Sequence, residues 1–300
     1  MKLVAIILTY NETAHLARCV TSVRAVTNEI VVVDCFSTDG TARLATSMGL
    51  RVLQHEWVNH AAQFNWALTQ LDPDTDWVLR IDADEYLSRM LITDIRERLI
   101  TFPQEVEGVY CDRRMTFQRQ LVRRGGVFPI RVLRLFRFGK GKAENRWMDE
   151  HIIVRGATAN LKGEIIDDNL NSLTSWTAKH NGYSSRDAID LLNLKYRFMS
   201  TESIADVYRP SRTGLKRWIK ERLYARLPGG FRAFAYFFYR FVIRLGFLDG
   251  RSGISFHILQ GFWYRYLVDA KVTEVEQCMC DNRCNAVEAI ERVLGIKVEP

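Results

Sequence analysis

Residues 77–85 read Trp-Val-Leu-Arg-Ile-Asp-Ala-Asp-Glu, a short apolar run that ends abruptly in acids. A run of this length, bounded by polar residues, suits a strand buried on both faces, as parallel sheets require. Two similar runs lie upstream. Leu3-Val4-Ala5-Ile6-Ile7-Leu8 stops in Thr9-Tyr10-Asn11-Glu12, and Glu29-Ile30-Val31-Val32-Val33 stops in the polar stretch from Asp34 to Asp39. Between them Leu16, Cys19, Val20 and Val23 recur at helical spacing, which makes a β-α-β unit. A helix over Thr41–Met48 closed by Gly49, a strand at Arg51–Leu53 and a helix over Asn59–Gln70 continue the alternation. The expected fold is α/β: an open, mostly parallel sheet flanked by helices. Ligands of such sheets sit beyond the carboxyl ends of the strands, so the three polar strand ends should line one crevice.

Further along the pattern changes. Residues 108–166 read as strands and turns, with Arg131-Val132-Leu133-Arg134-Leu135-Phe136-Arg137 partly alternating, and the pattern from Ser184 onward is helical. The domain expectation is one α/β domain over 1–205, in halves 1–105 and 106–205, and a helical C-terminal extension over 206–300.

Composition bounds the function. With 47% hydrophobic and 26% charged residues in a 300-residue chain, disorder, collagen and a polytopic membrane protein are excluded. The net charge of +7 is unevenly placed. Between Arg209 and Arg251 stand eleven Lys or Arg against two acids, so the remainder of the chain is net acidic. One segment, not the whole surface, is cationic, which favours a localised anionic partner over coating by nucleic acid. Within 214–245 these cations interleave with aromatics such as Trp218, Tyr224, Phe234 and Phe238, a composition that suits a helix lying in the headgroup layer of an anionic leaflet. A packed hairpin with a solvated basic face, or an oligomer interface, is the competing expectation.

No stretch is long and apolar enough to span a bilayer, and Met1-Lys2 leads into Leu3–Leu8 without a cleavable leader pattern, so a cytoplasmic protein is expected. Of six cysteines only Cys278, Cys280 and Cys284 cluster. Their spacing is not a usual zinc pattern, and ordinary reduced thiols are expected there.

The sharpest chemical signal is Asp82 and Asp84. In extended geometry residues i and i+2 share a face, so both carboxylates aim at a common point, and a hard divalent cation would relieve their repulsion. The bland alternative is a solvated loop whose acids cap a helix beginning near Met90.

Three stretches now stand together: Leu8-Thr9-Tyr10-Asn11-Glu12; Val32-Val33-Asp34-Cys35-Phe36-Ser37-Thr38-Asp39-Gly40-Thr41; and Asp76 to Glu85. They resemble the successive motifs of family 2 inverting glycosyltransferases of the GT-A fold. Trp147-Met148-Asp149-Glu150-His151 and Lys179-His180-Asn181 resemble, more loosely, the bacterial branch that builds lipopolysaccharide core, capsule or exopolysaccharide. The resemblance implies a nucleotide-sugar donor, UDP-linked by family expectation, and Mg2+ or Mn2+ held at Asp84 with Asp82. It implies donor contacts from Thr9, Tyr10, Glu12, Asp34 and Asp39, and from Gln63, Asn65, Arg80 and Asp82. Gln63 stands where relatives often carry a cation, and Gln cannot supply charge. His180 is a candidate third metal ligand, with a structural histidine as the alternative. The catalytic base is expected at Glu150 or Asp149, and both remain open. The implied acceptor is lipid-linked or a glycan, which would place the protein peripherally on the inner face of the cytoplasmic membrane, with no nucleic-acid partner.

Two other functions are compatible with part of this pattern. A sugar-phosphate nucleotidyltransferase should carry a Gly-rich, basic loop after the first strand, whereas Thr9-Tyr10-Asn11-Glu12 is acidic and lacks Gly. A non-enzymatic basic adaptor has no need of the paired acids.

Overall fold

The computed structural model describes residues 1–144, 151–199 and 230–298. The chain packs as two units. The first comprises 1–122, 127–144 and 150–171; the second comprises 123–126, 145–149 and 172–300. The division thus falls at 171/172, while the sequence pattern suggested a boundary near 205.

In the first unit β1 (Leu3–Thr9) pairs in parallel with β2 (Glu29–Asp34) on one side and with β4 (Trp77–Asp82) on the other; β3 (Arg51–Gln54) extends β2. The register sets Thr9 opposite Asp34 and Leu8 opposite Asp82, so the carboxyl ends of three strands are flush. The helices are α1 (Thr13–Val23), α2 (Thr41–Ser47), α3 (His60–Thr69) and α4 (Arg89–Arg98). β1 shows why its sequence is apolar without alternation. Leu3, Ala5 and Ile7 pack with Leu16, Cys19 and Leu91, while Val4, Ile6 and Leu8 pack with Ala61, Phe64 and Ala67. Each face of the strand meets a different helix layer.

Beyond β4 the sheet becomes mixed. The sheet order is β3-β2-β1-β4-β8-β6-β11-β5, and β8 (Ile130–Arg137) lies antiparallel to both β4 and β6 (Val106–Phe117). β11 (Ala157–Asp167) runs parallel to β6, and β5 (Glu85–Leu87) closes the edge antiparallel to it. β7 (Gln120–Leu121) hooks onto β6, and β9 (Gly141–Ala143) with β10 (Ile152–Val154) forms a separate ribbon.

The second unit is helical: α5 (Leu173–Tyr196), α6 (Phe231–Phe238), α7 (Gly250–Phe256), α8 (Tyr264–Asn282) and α9 (Ala286–Leu294). Ile189 and Leu192 of α5, Val275 of α8, and Ala289 and Ile290 of α9 form its core. Cys278 and Cys284 pack against this core, and all six cysteines are free thiols. Among the described residues no helix is long and apolar enough to cross a membrane.

Candidate active site

The loops after β1 and β2 are built from hydrogen-bonded caps. Asp34 is fully buried; its Oδ1 accepts from the Thr9 hydroxyl at 3.0 Å and from the Ser37 hydroxyl, and its Oδ2 accepts from the Ser37 amide at 2.8 Å. Asp39 joins two helix starts. One carboxylate oxygen accepts from the Thr13 amide and hydroxyl, the other from the Thr41 amide and hydroxyl. Asn11 adopts φ of 56° and its side-chain carbonyl accepts from the amides of Thr38 and Asp39. The polar strand ends are thereby one preformed structure, and in it Tyr10 and Phe36 are 59% and 52% exposed. Phe36 was not singled out by the sequence pattern.

Glu12 is tied by His15, whose Nδ1 lies 2.6 Å from Glu12 Oε2 while Nε2 accepts from the Leu170 amide at 2.8 Å. Because Nε2 is the acceptor, the proton sits on Nδ1 and is donated to Glu12. His15 therefore fastens the loop after β11 to the start of α1.

β4 ends at Asp82, and Ala83 and Asp84 form the turn into β5, so Asp84 belongs to a turn and not to the extended strand that the sequence suggested. Asp82 and Asp84 are nonetheless both part-exposed, with Ala83 and Glu85 buried between and after them. The helix that follows is capped by Ser88, whose hydroxyl accepts from Leu91, so capping does not account for the acids.

The acids differ in their compensation. Arg134 of β8, itself buried, donates to Asp82 Oδ2 at 3.0 Å and to Glu85 Oε1 at 2.6 Å. Burial would raise the Asp82 carboxyl, but Arg134 and then Arg80, whose Nε lies 4.0 Å from Asp82 Oδ1, hold it well below the usual carboxylate range. Glu85 is pushed up by burial against the pull of Arg134. Asp84 Oδ2 accepts from the neutral amide of Asn169 at 3.0 Å. Asp167, at the end of β11, is pushed up to about 7 by burial and then by Asp84, with Arg113 opposing. Asp168 accepts from Arg18 and from the Thr116 hydroxyl, and its amide donates to the Asp84 carbonyl at 3.1 Å.

Arg134, Asp167, Asp168 and Asn169 were missed by the sequence pattern. Ile165-Ile166-Asp167-Asp168-Asn169 is itself an apolar run ending in acids, the signal that marked residues 77–85. Arg134 carried no such signal, since a lone cation inside a strand announces nothing about its partners.

Gln63 and Asn65 hold the scaffold. The buried Gln63 donates to Cys35 Sγ at 3.1 Å and pairs with His55 Nδ1 at 2.8 Å. Asn65 donates to the Ala143 carbonyl and accepts from the Ala143 amide, each at 2.9 Å. His180 lies on α5 in the helical unit, stacked on Trp176 at 3.5 Å between ring centroids, with Nδ1 on the Trp176 carbonyl. Burial lowers it to about 4, so the ring is neutral near pH 7. Asp149 and Glu150 lie outside the described residues. Glu144 and His151, which flank them, pair through the backbone at 2.9 Å and through Glu144 Oε1 to His151 Nδ1 at 2.9 Å.

An α/β sheet with flush strand ends and an acid corner beside them places the chain in the class of open parallel-sheet proteins that carry their site at the carboxyl ends of the strands. Residues 4–161 match glycosyl transferase family 2, and the chain belongs to that family. The lipopolysaccharide core biosynthesis glycosyltransferase LpsC of Rhizobium meliloti is 31% identical over 195 residues, 63% of this chain and 71% of that protein. The uncharacterized glycosyltransferase RP128 of Rickettsia prowazekii is 40% identical over 94 residues, 31% of this chain and 32% of that protein. The chain thus spans about a third of the length of that relative. Among solved structures, the mannosyltransferase PcManGT of Pyrobaculum calidifontis, in complex with GDP-Man and Mn2+, superposes with a TM-score of 0.50 at 16% identity, covering 91% of this chain and 87% of that one. That likeness bears on the fold, which is the GT-A arrangement.

Proposed function

We propose that the protein is a metal-dependent inverting glycosyltransferase that moves a sugar from a nucleotide sugar, UDP-linked by family expectation, to a lipid-linked or polysaccharide acceptor in bacterial surface glycan biosynthesis. The observation that carries this is the unequal compensation of the acid corner. Asp82 is neutralised by Arg134, whereas the contact made by the Asp84 carboxylate is to the uncharged Asn169. Among the described residues no three His, Cys, Asp or Glu side chains converge on one point. Mg2+ and Mn2+ fit such a site, because they take one or two protein carboxylates and fill their remaining positions with water and substrate phosphates. Asp84 would hold the ion, with Asp82 beside it. The bound ion would supply positive charge to a departing nucleoside diphosphate.

The chain's own groups then divide the work. Thr9, Asp34 and Asp39 hold the strand ends in one shape, and Tyr10, Glu12 and Arg80 would contact the donor. Glu150 or Asp149 takes the proton of the acceptor hydroxyl. The LpsC name supports a lipopolysaccharide-type acceptor, and such an acceptor places the enzyme peripherally on the cytoplasmic face of the inner membrane.

A thermal-shift panel of nucleoside diphosphates and sugar nucleotides, with and without Mn2+ or Mg2+, tests the proposal, since a ligand bound to the native state stabilises it by mass action. The expected result is a metal-dependent shift with one nucleoside diphosphate and slow metal-dependent hydrolysis of its sugar conjugate. No shift with any nucleotide overturns it.

A further inference from the structure

In the helical unit the stretch from Phe231 to Arg251 is folded inside out. Its sequence suggests an aromatic run fenced by Arg232 and Arg240. Both arginines are buried. Arg232 Nε donates to Asp269 Oδ1 at 2.6 Å, while Asp269 Oδ2 accepts from the Gly230 amide at 2.9 Å. Arg240 donates to the Gly125 carbonyl at 3.2 Å and to Gln260, and lies over the Tyr236 and Phe256 rings. Phe237 and Phe241 stack on each other facing inward, with Phe262 and Phe247 against them.

The remaining apolar side chains face out. Phe231 and Ile243 are each 60% exposed, and Phe234, Phe238, Val242 and Leu248 are exposed as well. Phe231, Phe234 and Phe238 recur at three- and four-residue spacing, so one stripe of α6 is phenyl. Exposed large apolar side chains are unremarkable singly but informative when contiguous. The charged residues of this stretch decide what the stripe meets. Its exposed charges, Arg244 and Arg251, are cations. Its one acid, Asp249, is buried, with its Oδ2 accepting from the Arg124 amide at 2.9 Å and facing His257 Nε2 at 3.2 Å.

We propose that this face enters the interfacial layer of an anionic phospholipid membrane, with the phenyl and aliphatic side chains below the headgroups and Arg244 and Arg251 among them. The inference rests on the peripheral attachment proposed above and names the surface responsible. A symmetric contact between two copies would set the same cations near one another with no exposed acid in this stretch to answer them, whereas lipid phosphates provide the opposite charge. Arginine also keeps its head in the polar layer while its stem lies along apolar chains.

The test is flotation of the full chain with vesicles of phosphatidylethanolamine and phosphatidylglycerol, beside vesicles of phosphatidylcholine alone. The expected result is flotation with the anionic vesicles, at least ten-fold less bound protein for the combined Phe231→Ser, Phe234→Ser and Ile243→Ser variant, and restored flotation when the same positions carry Leu. The melting temperature of the Ser variant should hold, because these side chains are already in solvent. Two outcomes overturn the inference. Equal binding by the Ser variant means that cations elsewhere attach the protein. Absence of vesicle binding, together with a concentration-dependent dimer that the Ser variant abolishes, means that a second copy covers the face. Hydrolysis of the sugar nucleotide in solution reads the proposed enzyme activity independently of either outcome.

Discussion

Asn169 and Asp84 stand 85 residues apart in sequence and 3.0 Å apart in space, Nδ2 to Oδ2. The contact brings the ends of β11 and β4 to one point, and it leaves the Asp84 charge intact because an amide neutralises nothing. An Asp84→Asn variant keeps the shape and removes the charge. It should lower kcat by about 10²–10³ while leaving the melting temperature nearly unchanged, since electrostatic support of a leaving group is of that size. Steady-state assays with saturating Mn2+ or Mg2+ decide the matter; undiminished turnover would remove the metal from the proposal.

Arg134 bridges Asp82 and Glu85 from within the sheet. Arg134→Met retains volume but strands Glu85, whose side chain is 1% exposed, without its counter-charge. Breaking a buried pair in this way costs about 3–5 kcal/mol. Urea denaturation should report that loss, and a change under 1 kcal/mol would mean that Glu85 is neutral in the native protein.

His15 makes two bonds that no aliphatic residue can replace. His15→Leu should cost about 1–3 kcal/mol, the penalty for removing the acceptor of the Leu170 amide and a donor to Glu12. It should also weaken nucleotide binding, because Glu12 and the β11 loop lose their common tether. Parallel denaturation and nucleotide titration separate the two effects. Unaltered binding in a destabilised variant would confine His15 to a structural part.

The pH dependence of stability has a definite sign at Asp167. Folded, this carboxyl keeps its proton up to about 7, and unfolded it gives it up from 3.8. Between those values the native state binds more protons, so the stability of the metal-free protein falls as pH rises through the window and levels off above it. Asp167→Asn should flatten that decline. Denaturation midpoints measured at intervals from pH 4 to pH 8 check it, and an unchanged slope would assign the decline to other groups.

The first ninety residues were legible because their information is local. Each strand there is a continuous apolar run that stops in polar residues, and each helix carries its own period, as Leu16 to Val23 shows. The turn at Ala83–Asp84 escaped because two-residue spacing in a strand and in a tight turn look alike on paper. The other half of the acid corner was hidden by distance. Arg134 reaches Asp82 across 52 residues through β8 lying antiparallel beside β4, and Arg18 of α1 reaches Asp168, just past β11, across 150. The direction of Arg232 and Arg240 was equally unreadable. An arginine among phenylalanines points wherever its acid lies, and Asp269 is 37 residues from Arg232.

The backbone pairing of Glu144 with His151, reinforced by the clasp of Asn65 on Ala143, has a practical consequence for redesign. Glu144 and His151 hold the ends of β9 and β10 together by their own backbone and side-chain atoms. Lengthening a closed loop adds only about 0.6 kcal/mol per doubling. An insertion between residues 144 and 151 should therefore leave the sheet standing, whereas replacing residues 145–150 would remove both candidate bases, Asp149 and Glu150.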